Sequence, residues 1–363
     1  LEVRRLLLIR RRRFGDLVLL LPALERAREL FPQATITWLA QPEYRGFLAA
    51  AGTGVELWCP ANWRVALRGP RRRFDLALEF HGELPCILLG RLLADRLAGY
   101  GIRGGGFLLD LEAEYDWGLE AAARQVRLVE AAAGRPPSSG TATPRLALAP
   151  EWRRAAAPLT AGAQGAYVVL HPGCAQPAKF WPPERWRALI ARCRERGWEV
   201  VLTGGAEDRA LCDWLSSGGV ARNLCGRTDW GALAGVVAGA AAVTASDTGV
   251  AHLARALGVP AVTLFGPTDP AVWGGANQQP GRNLVRLLAC SPCNRGRCPL
   301  PQAADGAPSP CMQAITVGEV FYALERIAIS CQLSAVSSAA AAAHRRAIPA
   351  ANSAGGGIRL RAR

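Results

Sequence analysis

Apolar residues fall along this chain in short blocks that alternate between two periods. Arg5–Ile9 is a brief run that is apolar from Leu6 onward, and Leu17–Leu30 repeats its apolar positions at helical spacing with Pro22 near its start. Gly15-Asp16 lies between them and predicts a turn. Thr35–Ala40, Val55–Trp58, Leu76–Phe80 and a segment near Leu97–Tyr100 carry the β-branched and aromatic residues of strands. Helices are predicted at Arg45–Ala51 and Leu119–Ala132. Residues 134–144 (GRPPSSGTATP) have no periodic apolar pattern and predict a linker.

The alternation then restarts. Strands are predicted at Tyr167–His171, Glu199–Thr203, Ala241–Ala245 and Ala261–Phe265, and helices at Pro183–Arg196, Glu207–Leu215, Trp230–Ala238, Val250–Leu257 and Val317–Ile329. Strands alternating with helices predict parallel, doubly wound sheets of the α/β class. A length of 363 residues suits two such domains. The expected division is 1–133, a linker at 134–144, 145–332, and a disordered tail over 333–363. No apolar run approaches the roughly 18–20 residues that span a bilayer, and no secretory signal opens the chain. The expectation is a cytoplasmic protein.

Charge sharpens this picture at one position. The net charge is +14, carried almost wholly by arginine, and Lys179 is the sole lysine. A general arginine bias accounts for most of the basicity, so a position that keeps a compact ammonium is informative. The runs Arg10–Arg13 and Arg71–Arg73 suit an acidic substrate or an anionic membrane surface. No nucleic-acid-binding motif accompanies them, and nucleic acid is not expected as a partner.

In open parallel sheets ligands bind beyond the carboxyl ends of the strands. Five strand ends therefore hold the candidate chemistry. Asp16 follows the first strand and reads either as a helix cap or as a general base. Lys179 lies in a loop ahead of a proline-started helix, where an anion would be bound. Gly204-Gly205 allows close backbone approach, and Glu207 or Asp208 beside it can accept hydrogen bonds from ribose hydroxyls. Asp247-Thr248-Gly249 opens a helix whose free N–H groups suit a diphosphate, with His252 one turn on. Thr268 sits at the next strand end. No G-x-G-x-x-G follows a strand and no G-x-x-x-x-G-K-[ST] occurs, which disfavours dinucleotide and P-loop readings. Most of the 11 cysteines, such as Cys193 and Cys212, read as small core residues. Cys290, Cys293, Cys298 and Cys311 form a C-x₂-C-x₄-C-x₁₂-C group, enough thiolates for one structural iron or zinc, with reduced or disulfide-linked loop cysteines as the alternative.

Taken together, LLLIRRRRFGDLVLLLPAL (6–24), VVLHPGCAQPAKFWPPERW (168–186), VVLTGGAED (200–208) and ASDTGVAHLARALGVPAVTLFGPTDP (245–270) resemble glycosyltransferase family 9, the ADP-heptose:lipopolysaccharide heptosyltransferases. The resemblance implies a GT-B fold, two Rossmann-like domains facing across a cleft. The N-terminal domain would take a lipid-linked glycan acceptor and the C-terminal domain a nucleotide sugar, ADP-heptose. Peripheral contact with the cytoplasmic face of the inner membrane would follow. By motif, Asp16 matches the catalytic base, Lys179 the lysine that neutralises donor phosphate, and Glu207 the ribose-binding acid. Asp247, Thr248, Gly249 and His252 match the diphosphate region, with Thr268 lining the same cleft. The implied reaction is an inverting transfer that requires no cofactor for its chemistry. A related GT-B transferase using another sugar, or a non-catalytic sugar-nucleotide-binding protein, would share the fold.

Overall fold

The computed structural model describes residues 2–62, 65, 74–139, 142–162, 167–275 and 281–329. Arg71–Arg73 and the expected disordered tail lie outside the described residues. In chain order the strands are β1 (Arg5–Ile9), β2 (Thr35–Leu39), β3 (Glu56–Trp58), β4 (Phe74–Glu79), β5 (Ala94–Gly99), β6 (Leu111–Glu112), β7 (Tyr167–His171), β8 (Glu199–Leu202), β9 (Arg222–Asn223), β10 (Ala242–Ser246), β11 (Ala261–Phe265) and β12 (Gly281–Val285). The α-helices are α1 (Phe14–Leu19), α2 (Leu21–Leu30), α3 (Arg45–Ala50), α4 (Leu84–Leu93), α5 (Ala121–Ala132), α6 (Pro150–Thr160), α7 (Pro183–Glu195), α8 (Arg209–Leu215), α9 (Trp230–Ala238), α10 (Gly249–Ala256), α11 (Pro270–Trp273) and α12 (Pro310–Gln313), then α13 over 317–329.

Two six-stranded sheets result, ordered β3-β2-β1-β4-β5-β6 and β12-β11-β10-β7-β8-β9. Every strand pairing within them is parallel. The two orders are the same when each sheet is numbered from its own first strand. In both, the direction of winding reverses beside the first strand, at β1/β4 and at β7/β10, which opens a crevice at the carboxyl ends. This is the GT-B architecture.

Side-chain alternation explains why the strands read as unbroken apolar runs. Leu6 and Leu8 enter a central core shared with α1, α2 and α5, whereas Leu7 and Ile9 enter an outer core with α4. In β7, Val169 faces the central core, whereas Val168 and Leu170 face a separate outer core of the second sheet, with Trp181, Trp186 and α13. Parallel sheets are covered on both faces, so period-two alternation carries no polar signal. The central core is continuous between the two sheets. Phe14 stacks on Trp230 at 4.0 Å and Phe47 on Trp152 at 4.8 Å, pinning α1 and α3 against α9 and α6.

The structure departs from the predicted elements in three ways. Gly15 and Asp16 lie inside α1, which begins at Phe14 and ends at Leu19 before α2 starts. A carboxylate in the first turn favours the helix, and Pro22 belongs to the start of α2. Helices α4 and α6 were not predicted: LPCILLGRLL is apolar on every side, and α6 contains Pro158. Strands β6, β9 and β12 are the outer strands of their sheets and lack apolar alternation.

Candidate functional site

The site is assembled from the carboxyl ends of β1, β7 and β10. α1 and α10 approach each other with their opening turns. A Cβ built on Gly15 would lie 2.9 Å from His252 Cδ2 and 3.0 Å from Gly249 Cα. One built on Gly249 would lie 2.9 Å from the Gly15 nitrogen. Glycine is required on both sides of this contact because backbone faces backbone. Gly15→Ala is expected to wedge α1 from α10 and lower turnover about a hundredfold, since misplacing groups by about 1 Å has that cost. Steady-state kinetics check this, and an unaltered rate would show that the cleft works without the contact.

Asp16 is placed in this cleft by the first turn of α1. Its Oδ2 is 2.7 Å from a guanidinium nitrogen of Arg10, and about a fifth of its side chain remains exposed. Arg10 is buried and also donates to the Phe80 carbonyl. It is therefore a support for Asp16 and not the solvated substrate contact that the basic run suggested. Arg12 is likewise paired, with Glu83. Behind them Glu79 is fully buried, and burial pushes its carboxyl up to about 8 against the opposing N–H groups of His81 and Gly82. Burial and the surrounding arginines hold the His81 imidazole at about 2, and its Nε2 accepts the Arg11 N–H.

Across the cleft Asp247 is a hub. Its Oδ2 accepts from Lys179 Nζ at 2.7 Å and from Thr268 Oγ1 at 2.8 Å. Lys179 Nζ also donates to the Asp247 carbonyl at 3.1 Å, and its own carbonyl accepts from Ser246 Oγ. Burial works against ionisation of Asp247, but Lys179, His252 and Thr268 outweigh it and hold the carboxyl below its ordinary value. An ammonium has three protons. Two point at Asp247, and among the described residues the third has no partner. Thr248 Oγ1 is buried and also has no partner among the described residues. It stands at the start of α10, whose opening N–H groups lack intrahelical acceptors.

His252 connects the two sides. Burial pushes its imidazole down to about 4, although Asp247 and Asp16 pull the other way. Arg255 lies 3.4 Å from Nδ1, and a guanidinium can only donate. Nδ1 is thus the acceptor, and the proton sits on Nε2, 3.7 Å from Asp247 Oδ1. Arg255 is also held by Thr263 and Asn283, and the charge of Glu120, which directly precedes α5, reaches it.

Six of the predicted residues therefore surround one cleft: Asp16, Lys179, Asp247, Thr248, Gly249 and His252. Thr268 joins them through Asp247, not as an open hydroxyl. Glu207 lies further along, exposed at the end of β8, while Asp208 turns back to accept the Gly205 N–H at 2.9 Å. Arg10, Arg255 and Glu120 are the additions. Arg10 stands out in the sequence only as part of a basic run, and in an arginine-rich chain Arg255 carries no sequence signal.

The four-cysteine metal expectation is not supported. Among the described residues no three His, Cys, Asp or Glu side chains are grouped so as to hold a metal ion. Cys311 is buried in the first turn of α12, where it and Met312 pack into the outer core, and burial raises its thiol. Cys290 is exposed in a turn. Cys193 and Cys212 are buried core residues, as expected.

Comparison with known proteins supplies the family. The model of glycosyltransferase family 9 (heptosyltransferase) matches residues 66–304, well over half of the chain. Lipopolysaccharide heptosyltransferase 1 of Pseudomonas aeruginosa is 29% identical over 321 residues, covering 81% of this chain and 87% of that protein. Among solved structures, the Escherichia coli ADP-heptose lps heptosyltransferase II has a TM-score of 0.74 at 20% identity, covering 90% of this chain and 99% of its own. The E. coli heptosyltransferase WaaC with ADP has a TM-score of 0.66 at 22% identity, covering 91% and 99%.

Proposed function

Because the chain belongs to glycosyltransferase family 9 (heptosyltransferase), we propose that it transfers heptose from ADP-heptose to a lipid-linked lipopolysaccharide core acceptor, with inversion at the anomeric carbon. The observation that carries this reading is the meeting of Asp16 with the Lys179–Asp247–Thr248 cluster across one Gly15–Gly249 contact. The donor assignment draws on relatives whose names specify ADP-heptose or bound ADP. In this reading residues 1–133 hold the acceptor, 134–144 link, and 145–332 hold the nucleotide sugar. Leu146, whose N–H donates to Ala256, supports that start for the second unit.

Asp16 takes the proton of an acceptor hydroxyl as its oxygen attacks the anomeric carbon. The new C–O bond forms on the face opposite the departing ADP, and the old bond to phosphate breaks with its electron pair leaving on the diphosphate. The third Lys179 proton, the Thr248 hydroxyl and the opening amides of α10 stabilise that charge; each such contact accounts for about 10²–10³ in rate. Glu207, exposed beside Gly205, accepts the ribose hydroxyls, while Asp208 is spent on its own turn. Among the described residues no helix is long and apolar enough to cross a membrane. The protein would work in the cytoplasm, meeting its acceptor at the inner membrane surface.

The test is turnover of ADP-heptose by the purified protein on truncated lipopolysaccharide. ADP release that requires both substrates supports the reading. Release from a different nucleotide sugar, with none from ADP-heptose, overturns the donor assignment.

A further inference from the structure

Helix α4 has an apolar inner face, formed by Cys86, Ile87, Leu89 and Gly90, packed on β4 and β5. Its outer face is Leu84, Pro85, Leu88, Arg91 and Leu92, and all five are exposed. Leu84 is 39%, Leu88 45% and Leu92 71% accessible, at i, i+4 and i+8, so they form one row along the helix. Phe107 is 86% accessible, on the loop that brings Gly105 against Leu84. Single exposed leucines are ordinary, but a contiguous exposed row on a helix whose opposite face is also apolar marks a docking surface.

We propose that this row, Leu84, Leu88, Leu92 and Phe107, is the surface by which the protein lies on an anionic lipid bilayer. The charges around it select that occupant. Arg12 and Arg103 share the single carboxylate of Glu83, at 3.1 and 2.8 Å, leaving an excess of positive charge at the start of α4. Exposed Arg13 follows Arg12, and the whole chain carries +14, whereas Arg91 within the row is paired with Asp110 at 2.7 Å. Apolar side chains interleaved with arginine match a headgroup boundary with negative charge beneath.

Position in the fold supports the same occupant. Glu83 and Leu84 follow β4, at the carboxyl edge of the first sheet where Asp16 stands. The row therefore begins beside the cleft and runs outward along the helix. A bilayer seated on it would present a membrane-anchored acceptor directly to the mouth of the site. In this respect the proposal rests on the reading of the acceptor as lipid-linked.

Vesicle co-sedimentation tests it without donor or acceptor. Full-length protein is expected to sediment with vesicles of phosphatidylcholine and phosphatidylglycerol and much less with phosphatidylcholine alone. Combining Leu88→Ser, Leu92→Ser and Phe107→Ser is expected to weaken partitioning by about tenfold or more. Turnover on a deacylated, soluble acceptor should be unchanged, which confirms that the variant folds. Equal partitioning of wild type and variant overturns the proposal, as does failure of the wild type to bind at low salt. It is also overturned if the substitutions abolish self-association in sedimentation velocity and leave vesicle binding intact, since the row would then be a contact between copies. Vesicle binding that follows the row in a protein inactive on ADP-heptose would keep this proposal and remove only the catalytic reading.

Discussion

Asp16→Asn is expected to lower kcat by about 10²–10⁴ while changing ADP affinity little. General-base catalysis accounts for rate factors of that size, and asparagine keeps the shape of the side chain but cannot take a proton. Affinity should survive because Asp16 stands on the first sheet, whereas Lys179, Thr248 and α10 stand on the second. A second effect has to be separated from the first. Arg10 is buried, and its guanidinium is 2.7 Å from Asp16. Losing that carboxylate strips a buried cation of its counterion, which destabilises the fold. The Arg10 bond to the Phe80 carbonyl and the partial exposure of Asp16 moderate this loss. Thermal unfolding, calorimetric titration with ADP and turnover should therefore be measured on one preparation. A folded variant with wild-type affinity and greatly reduced kcat meets the expectation. Turnover within a few-fold of wild type would remove Asp16 as the base.

The pairing of Asp16 with Arg10 also shows what the sequence could and could not convey. Asp16, Lys179 and Asp247 were legible because each follows a recognisable strand, and strand ends are where an open parallel sheet binds its ligands. Lys179 stood out further as the sole ammonium among guanidiniums. Arg255 and Glu120 were not legible, nor was the role of Arg10 as the partner of Asp16. Their roles come from partners far along the chain: Phe80 for Arg10, Thr263 and Asn283 for Arg255. The prediction that Gly15-Asp16 forms a turn failed because local sequence does not separate a turn from the first turn of a short helix. The cysteine group is not assembled as a metal site among the described residues, where Cys311 is buried and Cys290 exposed. Helix α4 escaped notice because it is apolar apart from Arg91, so no polar face marks a helical period.

Lys179→Ala is expected to weaken ADP binding about tenfold to a hundredfold, the usual value of a hydrogen bond to a charged group. It should also cost about 3–5 kcal/mol of stability, as removing one partner of a buried ion pair does. Both follow from its two contacts with Asp247 and its remaining proton. The pH dependence distinguishes the roles. In the wild type the folded Asp247 carboxyl lies below its unfolded value. The pair therefore stabilises the fold above the unfolded value, and that contribution is lost as pH falls through the depressed one. Without Lys179, burial dominates and the carboxyl is expected to rise above its unfolded value. The sign then reverses: ionising Asp247 destabilises the variant as pH rises towards neutrality. Adding Asp247→Asn to Lys179→Ala removes the stranded charge, so stability should recover in large part and ADP affinity should not. Lys179→Arg should restore only part of the affinity, because a planar guanidinium cannot meet a carbonyl, a carboxylate and a phosphate from one compact centre. Equal ADP affinity in wild type and Lys179→Ala would leave the lysine as a support for Asp247 alone. Recovery of affinity together with stability in the double variant would assign the entire loss to folding.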